Sequence, residues 1–145
     1  MNYMIVDALP GHVNMLVERL REEDAKEIKA FGKLPKKAIW ESFRLSFIRK
    51  AAFVDGEIAA MWGICGPILG PQGDLWLMTT PAIEKAPWAF VREARREVAE
   101  ALEIFPSVRG ILSCDYKAAV RLVKLLGFSL TPWGDGFALF EKARE

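Results

Sequence analysis

The stretch DYKAAVRLVKLLGFSL, residues 115–130, constrains the fold more than any other part of the chain. Ala119, Leu122, Val123 and Leu126 recur at helical spacing, so one face is apolar. Lys117, Arg121 and Lys124 fall largely off that face, as charges on a surface helix do. Gly127 stands where a residue of positive φ ends a helix, and Phe128 is placed to fold back onto the last turn. The chain must therefore pass from a surface helix directly into an extended segment, an arrangement found where helices cover a sheet.

The remaining segments fit that arrangement. NYMIVDAL reads as a first strand and GHVNMLVERLREEDAKEIKAF as one helix, with Val13, Leu16, Val17 and Leu20 on its buried side. PKKAIWESFRLSF forms a second helix that starts at Pro35. IRKAAFVDGEIAAMWGICG is a hairpin about Asp55-Gly56, a pair able to take the positive φ of a tight turn. GPILGPQG is a loop, and DLWLMTT is a strand apolar enough to be central. APWAFVREARREVAEALEIF is the longest helix, VRGILSCD a further strand, and SLTPW with GFALFEKA a closing pair around Gly134-Asp135. This order predicts a single α/β (α+β) domain over residues 1–145. A mixed sheet of about six to seven strands is flanked by about four helices. Its core draws on Trp76, Phe90, Val91, Val98, Leu102, Ile111, Leu122, Leu126 and Leu139.

Composition removes several classes of chemistry. His12 is the only histidine and begins a helix, so a Ser-His-Asp or Cys-His mechanism would have to run through a residue better suited to that terminus. A multi-histidine metal site is excluded, and no tight carboxylate cluster replaces it. Cys65 and Cys114 are too few for a zinc site or a disulfide framework, which suits a reducing, cytoplasm-like setting. The balance of 20 basic and 19 acidic residues disfavours nucleic-acid binding by bulk charge. Arg92, Arg95, Arg96, Arg121 and Lys124 would have to form the basic face, and Glu93, Glu97 and Glu100 interrupt them. No run approaches the roughly 20 apolar residues of a membrane span, and the N-terminus has no secretion-signal pattern.

Taken in order, strand, helices, hairpin, DLWLMTT, long helix, VRGILSCD, helix, LLGF and a final hairpin resemble the GNAT fold of the N-acetyltransferase superfamily. That resemblance implies acetyl-CoA as cofactor, entering where the fourth and fifth strands part. Its pyrophosphate would rest on amides at the start of the following helix, near Ala86. It implies cofactor contacts from Met78, Thr79, Thr80 and Lys85, with the backbone of Met78 to Thr80 polarising the thioester carbonyl. The family's glycine-rich phosphate loop is replaced here by TTPAIEKAPWAF, which has no glycine, and Pro87 lacks an N–H. The tyrosine that protonates the leaving thiolate in such enzymes has its counterpart in Val123. Tyr116, with Cys114 and Asp115, is then the candidate catalytic group, read alternatively as a packed aromatic after a strand end and an Asp115 N-cap. Asp74 and Glu84 are the carboxylates nearest the family's general-base position.

A closer likeness is to the internal virion protein A family of short-tailed phages, carried by DLWLMTT, the long charged helix and VRGILSCDYKAAVRLVKLLGF. It implies a phage or prophage protein in the host cytoplasm, packaged in the virion or acting in assembly or ejection. Its partners would be phage structural proteins, met by Trp40, Trp88 and Trp133 if those rings are exposed. The alternative reading is an acetyl-CoA-dependent N-acetyltransferase with an atypical pyrophosphate loop. It would act on a small amine or a protein acceptor.

Overall fold

Asp55 and Gly56 make the turn that their residue types allow, at φ 49° and 82°. A computed structural model describes residues 2–30, 32–66, 70–85 and 87–145. On either side of that turn run β2 (Ser46–Val54) and β3 (Glu57–Cys65), antiparallel, with Val54 opposite Glu57. β1 (Tyr3–Asp7) joins β2 antiparallel, with Tyr3 opposite Val54. β4 (Gln72–Thr79) follows, then β5 (Ser107–Ser113), β6 (Ser129–Gly134) and β7 (Phe137–Ala143). The hydrogen-bonded order is β1-β2-β3-β4-β5-β7-β6, a mixed seven-stranded sheet in which, among the described pairs, only β4 and β5 run parallel.

Among the described residues five α-helices accompany the sheet: α1 (Pro10–Glu18), α2 (Glu22–Ala30), α3 (Pro35–Leu45), α4 (Pro87–Ile104) and α5 (Lys117–Leu125). The sequence pattern called for about four, because residues 11–31 read as one continuous helix. The chain breaks it at Arg19–Arg21, where the Arg21 N–H donates to Thr79 C=O at 3.0 Å. A tertiary bond to β4 has overridden local helix propensity. The expected loop over residues 66–73 falls partly outside the described residues, and so does the α4 start near Ala86.

The described residues group into two units. One comprises Met1–Cys65 and Trp76–Phe90. Its core sets Val13 and Leu16 of α1, Ile28 of α2, and Ile39 and Phe43 of α3 against Ala51, Ile58 and Met61. Trp76 is half-buried there and donates its indole N–H to Ser46 Oγ at 2.6 Å.

The other unit comprises Gly66–Leu75 and Val91–Glu145. Val98, Leu102, Phe105, Val108, Leu112 and Phe140 form much of its interior. Here α5 ends as its sequence requires. Gly127 lies at φ 87°, its N–H donates to Lys124 C=O at 3.1 Å, and Phe128 N–H donates to Val123 C=O at 3.0 Å. These are the two bonds of a Schellman motif, and the buried rings of Phe128 and Phe140 meet edge to face at 5.2 Å. Of the core expected from sequence, Phe90, Val98, Leu102 and Leu126 are buried. Val91, Leu122 and Leu139 are half-buried. Ile111 is 38% exposed, because β5 turns Val108 and Leu112 inward and leaves the alternate positions on the other face.

Candidate functional site

The candidate site is made of backbone at the carboxyl end of β4. Along a strand, successive residues direct their N–H and C=O groups to opposite edges. Thr80 N–H donates to Ala59 C=O of β3 at 2.9 Å, so Thr79 addresses the opposite, outer edge. There the Thr79 N–H and hydroxyl both donate to Asp24 Oδ2 at 3.0 Å, and its C=O accepts the Arg21 N–H. Leu75 C=O faces the same edge, where it lies 2.8 Å from the position a Cβ on Gly110 of β5 would take. The pairing of β4 with β5 ends at Asp74 opposite Arg109. Within β4, alternation sets the Leu77 N–H and C=O on the same side as those of Thr79.

Asp24 holds that closure in place. It is 3% exposed, and burial raises its carboxyl from 3.8 to about 6, against the opposing pull of the Thr79 bonds and the Arg21 charge. The Arg21 guanidinium also pairs with Glu23 at 3.1 Å and Glu84 at 3.3 Å. Sequence reasoning missed this residue. In the run Glu22-Glu23-Asp24 all three look like first-turn acids facing water, and nothing local marks the one that turns inward.

The four residues expected to hold cofactor lie in one run. Met78 packs against the core of the first unit. Thr79 and Thr80 have their amides committed to Asp24 and Ala59. The Thr80 hydroxyl donates to Ile58 C=O at 2.7 Å and accepts the Ala82 N–H at 3.2 Å, which starts a short 3-10 turn over Pro81–Lys85. Lys85 Nζ lies 3.4 Å from Glu57 Oε2, and Arg19 reaches the same oxygen at 3.6 Å. Two cations thus share one carboxylate at the end of this turn.

Cys114, Asp115 and Tyr116 form the turn from β5 into α5. Cys114 and Asp115 are exposed and Tyr116 is half-buried. The N-cap residue is Tyr116 rather than Asp115, and its side chain makes no cap bond. The turn is tied by backbone instead, through Tyr116 N–H to Ser113 C=O at 3.1 Å and Lys117 N–H to Asp115 C=O at 3.0 Å. Val123 is buried and points its apolar side chain into the second unit. His12 uses Nδ1 to accept the Leu9 N–H at 2.9 Å at the start of α1, and burial holds its pKa below the usual value. Among the described residues no group of three or more His, Cys, Asp or Glu is arranged to hold a metal, and no helix is long and apolar enough to cross a membrane.

Neither a protein-family pattern nor a curated protein sequence matches the chain. Solved structures do. The PaiA N-acetyltransferase of Thermoplasma acidophilum, solved with coenzyme A, superposes with a TM-score of 0.72 at 16% identity, over 99% of this chain and 100% of that one. The ribosomal-protein-S18-alanine N-acetyltransferase of Escherichia coli gives 0.69 at 12% identity, over 98% and 94%. A GNAT-superfamily phosphinothricin acetyltransferase of Sinorhizobium meliloti, solved with acetyl-CoA, gives 0.69 at 12%, over 99% and 89%. The mixed sheet and its helices therefore share the architecture of these structures. The fold is GNAT.

Proposed function

We propose that the chain binds acetyl-CoA along the outer edge of β4 and is an N-acyltransferase of low intrinsic activity. The observation that carries this reading is the Leu77 N–H and C=O pair, which alternation sets on the same side of β4 as the Thr79 groups held by Asp24. An edge N–H can polarise a thioester carbonyl, and an edge C=O can accept from an amide of the pantetheine arm, as an added strand would. Arg19 and Lys85, gathered on Glu57, are the residues that would meet the phosphates. Structures of the same fold were solved with coenzyme A and acetyl-CoA, which supports this ligand. Low activity follows from the residues: the run after β4 has no glycine to bring several amides to a pyrophosphate, and Val123 has no proton to give. Tyr116 is the phenol that would protonate the leaving thiolate, with Cys114 and Asp115 beside it.

The experiment is titration with acetyl-CoA, read as heat and as a thermal shift. Ligand at about 100-fold above its dissociation constant stabilises the fold by about 2.7 kcal/mol. Saturable heat with that shift supports the reading, and silence at millimolar ligand ends it. A second reading is a phage-derived contact protein of the host cytoplasm or virion, with no transfer activity. The exposure of Trp40, Trp88 and Trp133 favours it, because exposed indoles are frequent anchors for a partner. Co-sedimentation with purified phage particles would test it, and recovery only in the supernatant would sink it.

A further inference from the structure

Charge is spread unevenly along this nearly neutral chain. Between Lys29 and Val54 stand Lys29, Lys33, Lys36, Lys37, Arg44, Arg49 and Lys50, against a single acid, Glu41. Glu41 is itself paired with Lys33 at 3.8 Å. Among the described residues Lys36, Lys37 and Arg44 have no carboxylate within ion-pair distance, and all three are exposed on α3. The same helix turns Ile39 and Phe43 into the core, so Lys37 and Arg44 occupy its outward side, while Lys36 is exposed in its first turn.

Apolar side chains interrupt the cations there. Trp40 is 42% exposed, and Leu34 and Leu45, at the two ends of the helix, are 71% and 65% exposed. Trp40 does not hang free: its ring stacks on Phe43 at 5.5 Å and 18°, and Arg49 covers Phe43 at 4.4 Å. A ring fixed in this way loses little entropy when a partner covers it. Eleven helical residues span about 16 Å, the length of about five residues of extended chain. The carboxyl end of α3 is joined to β4 through Ser46, whose Oγ receives the Trp76 indole N–H.

We infer that this face of α3 docks the acceptor, and that the acceptor is an acidic polypeptide segment carrying apolar side chains. The inference rests on the acyltransferase reading for the word acceptor, while docking itself does not depend on it. Leu34 and Leu45 bracket the cations and Trp40 divides them, which matches a chain bearing both carboxylates and apolar residues. A nucleic acid would leave Leu34 and Leu45 uncovered, and a bilayer would bring Glu41 against anionic headgroups. A polyamine meets only like charge.

The test uses the full chain without acetyl-CoA. The probe is a fluorescein-labelled 12-residue peptide of Glu and Leu with a free amino terminus, followed by anisotropy. Binding is expected to weaken with salt, to fall at least tenfold in the combined Lys36→Glu, Lys37→Glu, Arg44→Glu variant, and to fall several-fold in Trp40→Ala. All four side chains are exposed, and unchanged melting temperatures confirm that the variants fold. The acetyl-CoA heat should persist in the triple variant, so loss of docking and loss of cofactor binding are read separately. No binding of the peptide, or equal binding by the triple variant, overturns the proposal. So does capture of phosphatidylserine vesicles or an oligothymidine in preference to the peptide.

Discussion

Replacing Asp24 by Asn tests the account of the β4 edge. The folded protein keeps the Asp24 proton up to about pH 6, whereas an ordinary aspartate releases it at 3.8. The folded state therefore binds more protons than the unfolded one between these values, and stability falls as pH rises through that window. The contribution is fully present below 3.8 and lost above about 6. A displacement of about two pH units corresponds to about 3 kcal/mol. Asparagine presents a neutral oxygen to the Thr79 N–H and hydroxyl, so it mimics the protonated carboxyl at every pH. Asp24→Asn should match the parent near pH 4 and exceed it by about 1–3 kcal/mol at pH 8. Asp24→Ala should instead lose about 2–4 kcal/mol, since the buried amide and hydroxyl of Thr79 are left without an acceptor. Urea unfolding of the three proteins at pH 4.5, 6 and 8 measures this. Parallel pH curves for the parent and Asp24→Asn, or a variant weaker than the parent at pH 8, would refute the burial argument.

Other substitutions follow from backbone geometry. Gly127→Ala places a side chain at φ 87° with Lys142 Nζ 3.0 Å from its Cβ, and should cost about 1–2 kcal/mol in chemical unfolding. Gly63→Ala puts a Cβ 2.6 Å from Ile48 C=O, 2.7 Å from Trp76 Nε1 and 2.8 Å from Ser46 Oγ. A loss of more than about 2 kcal/mol, with a changed Trp fluorescence spectrum, is the expected result. Trp76→Phe removes the indole donor to Ser46 and should lower stability by about 1 kcal/mol, while acetyl-CoA titration is unaffected.

The parts legible in the sequence are those fixed by neighbouring residues. Asp55-Gly56 dictates its own turn, Gly127-Phe128 its own helix end, and period-2 or period-3.6 patterns mark the strands and helices around them. The break between α1 and α2 was not legible, because it depends on a carbonyl at Thr79, some 58 residues away. Asp24 was hidden for the same reason, and so was the pairing of Lys85 with Glu57. The basic run of residues 29–50 was in plain view, yet the near-zero net charge of the whole chain masked it.

The site is hard to read for a deeper reason: its proposed contacts are amides, which every residue type but proline possesses. What distinguishes Leu77 is only that Thr79, two residues on, has its own amide closed by Asp24. Gly110 lets β5 approach Leu75, and Phe140 occupies the space a larger residue would need. Arg21 and Asp24 cover Thr79. On the proposed reading, the single N–H of Leu77 would be a sparse oxyanion site. Loss of one donor from such sites typically lowers kcat by about 10²–10³. The low activity proposed for this chain is thus a consequence of how few amides its β4 edge leaves open.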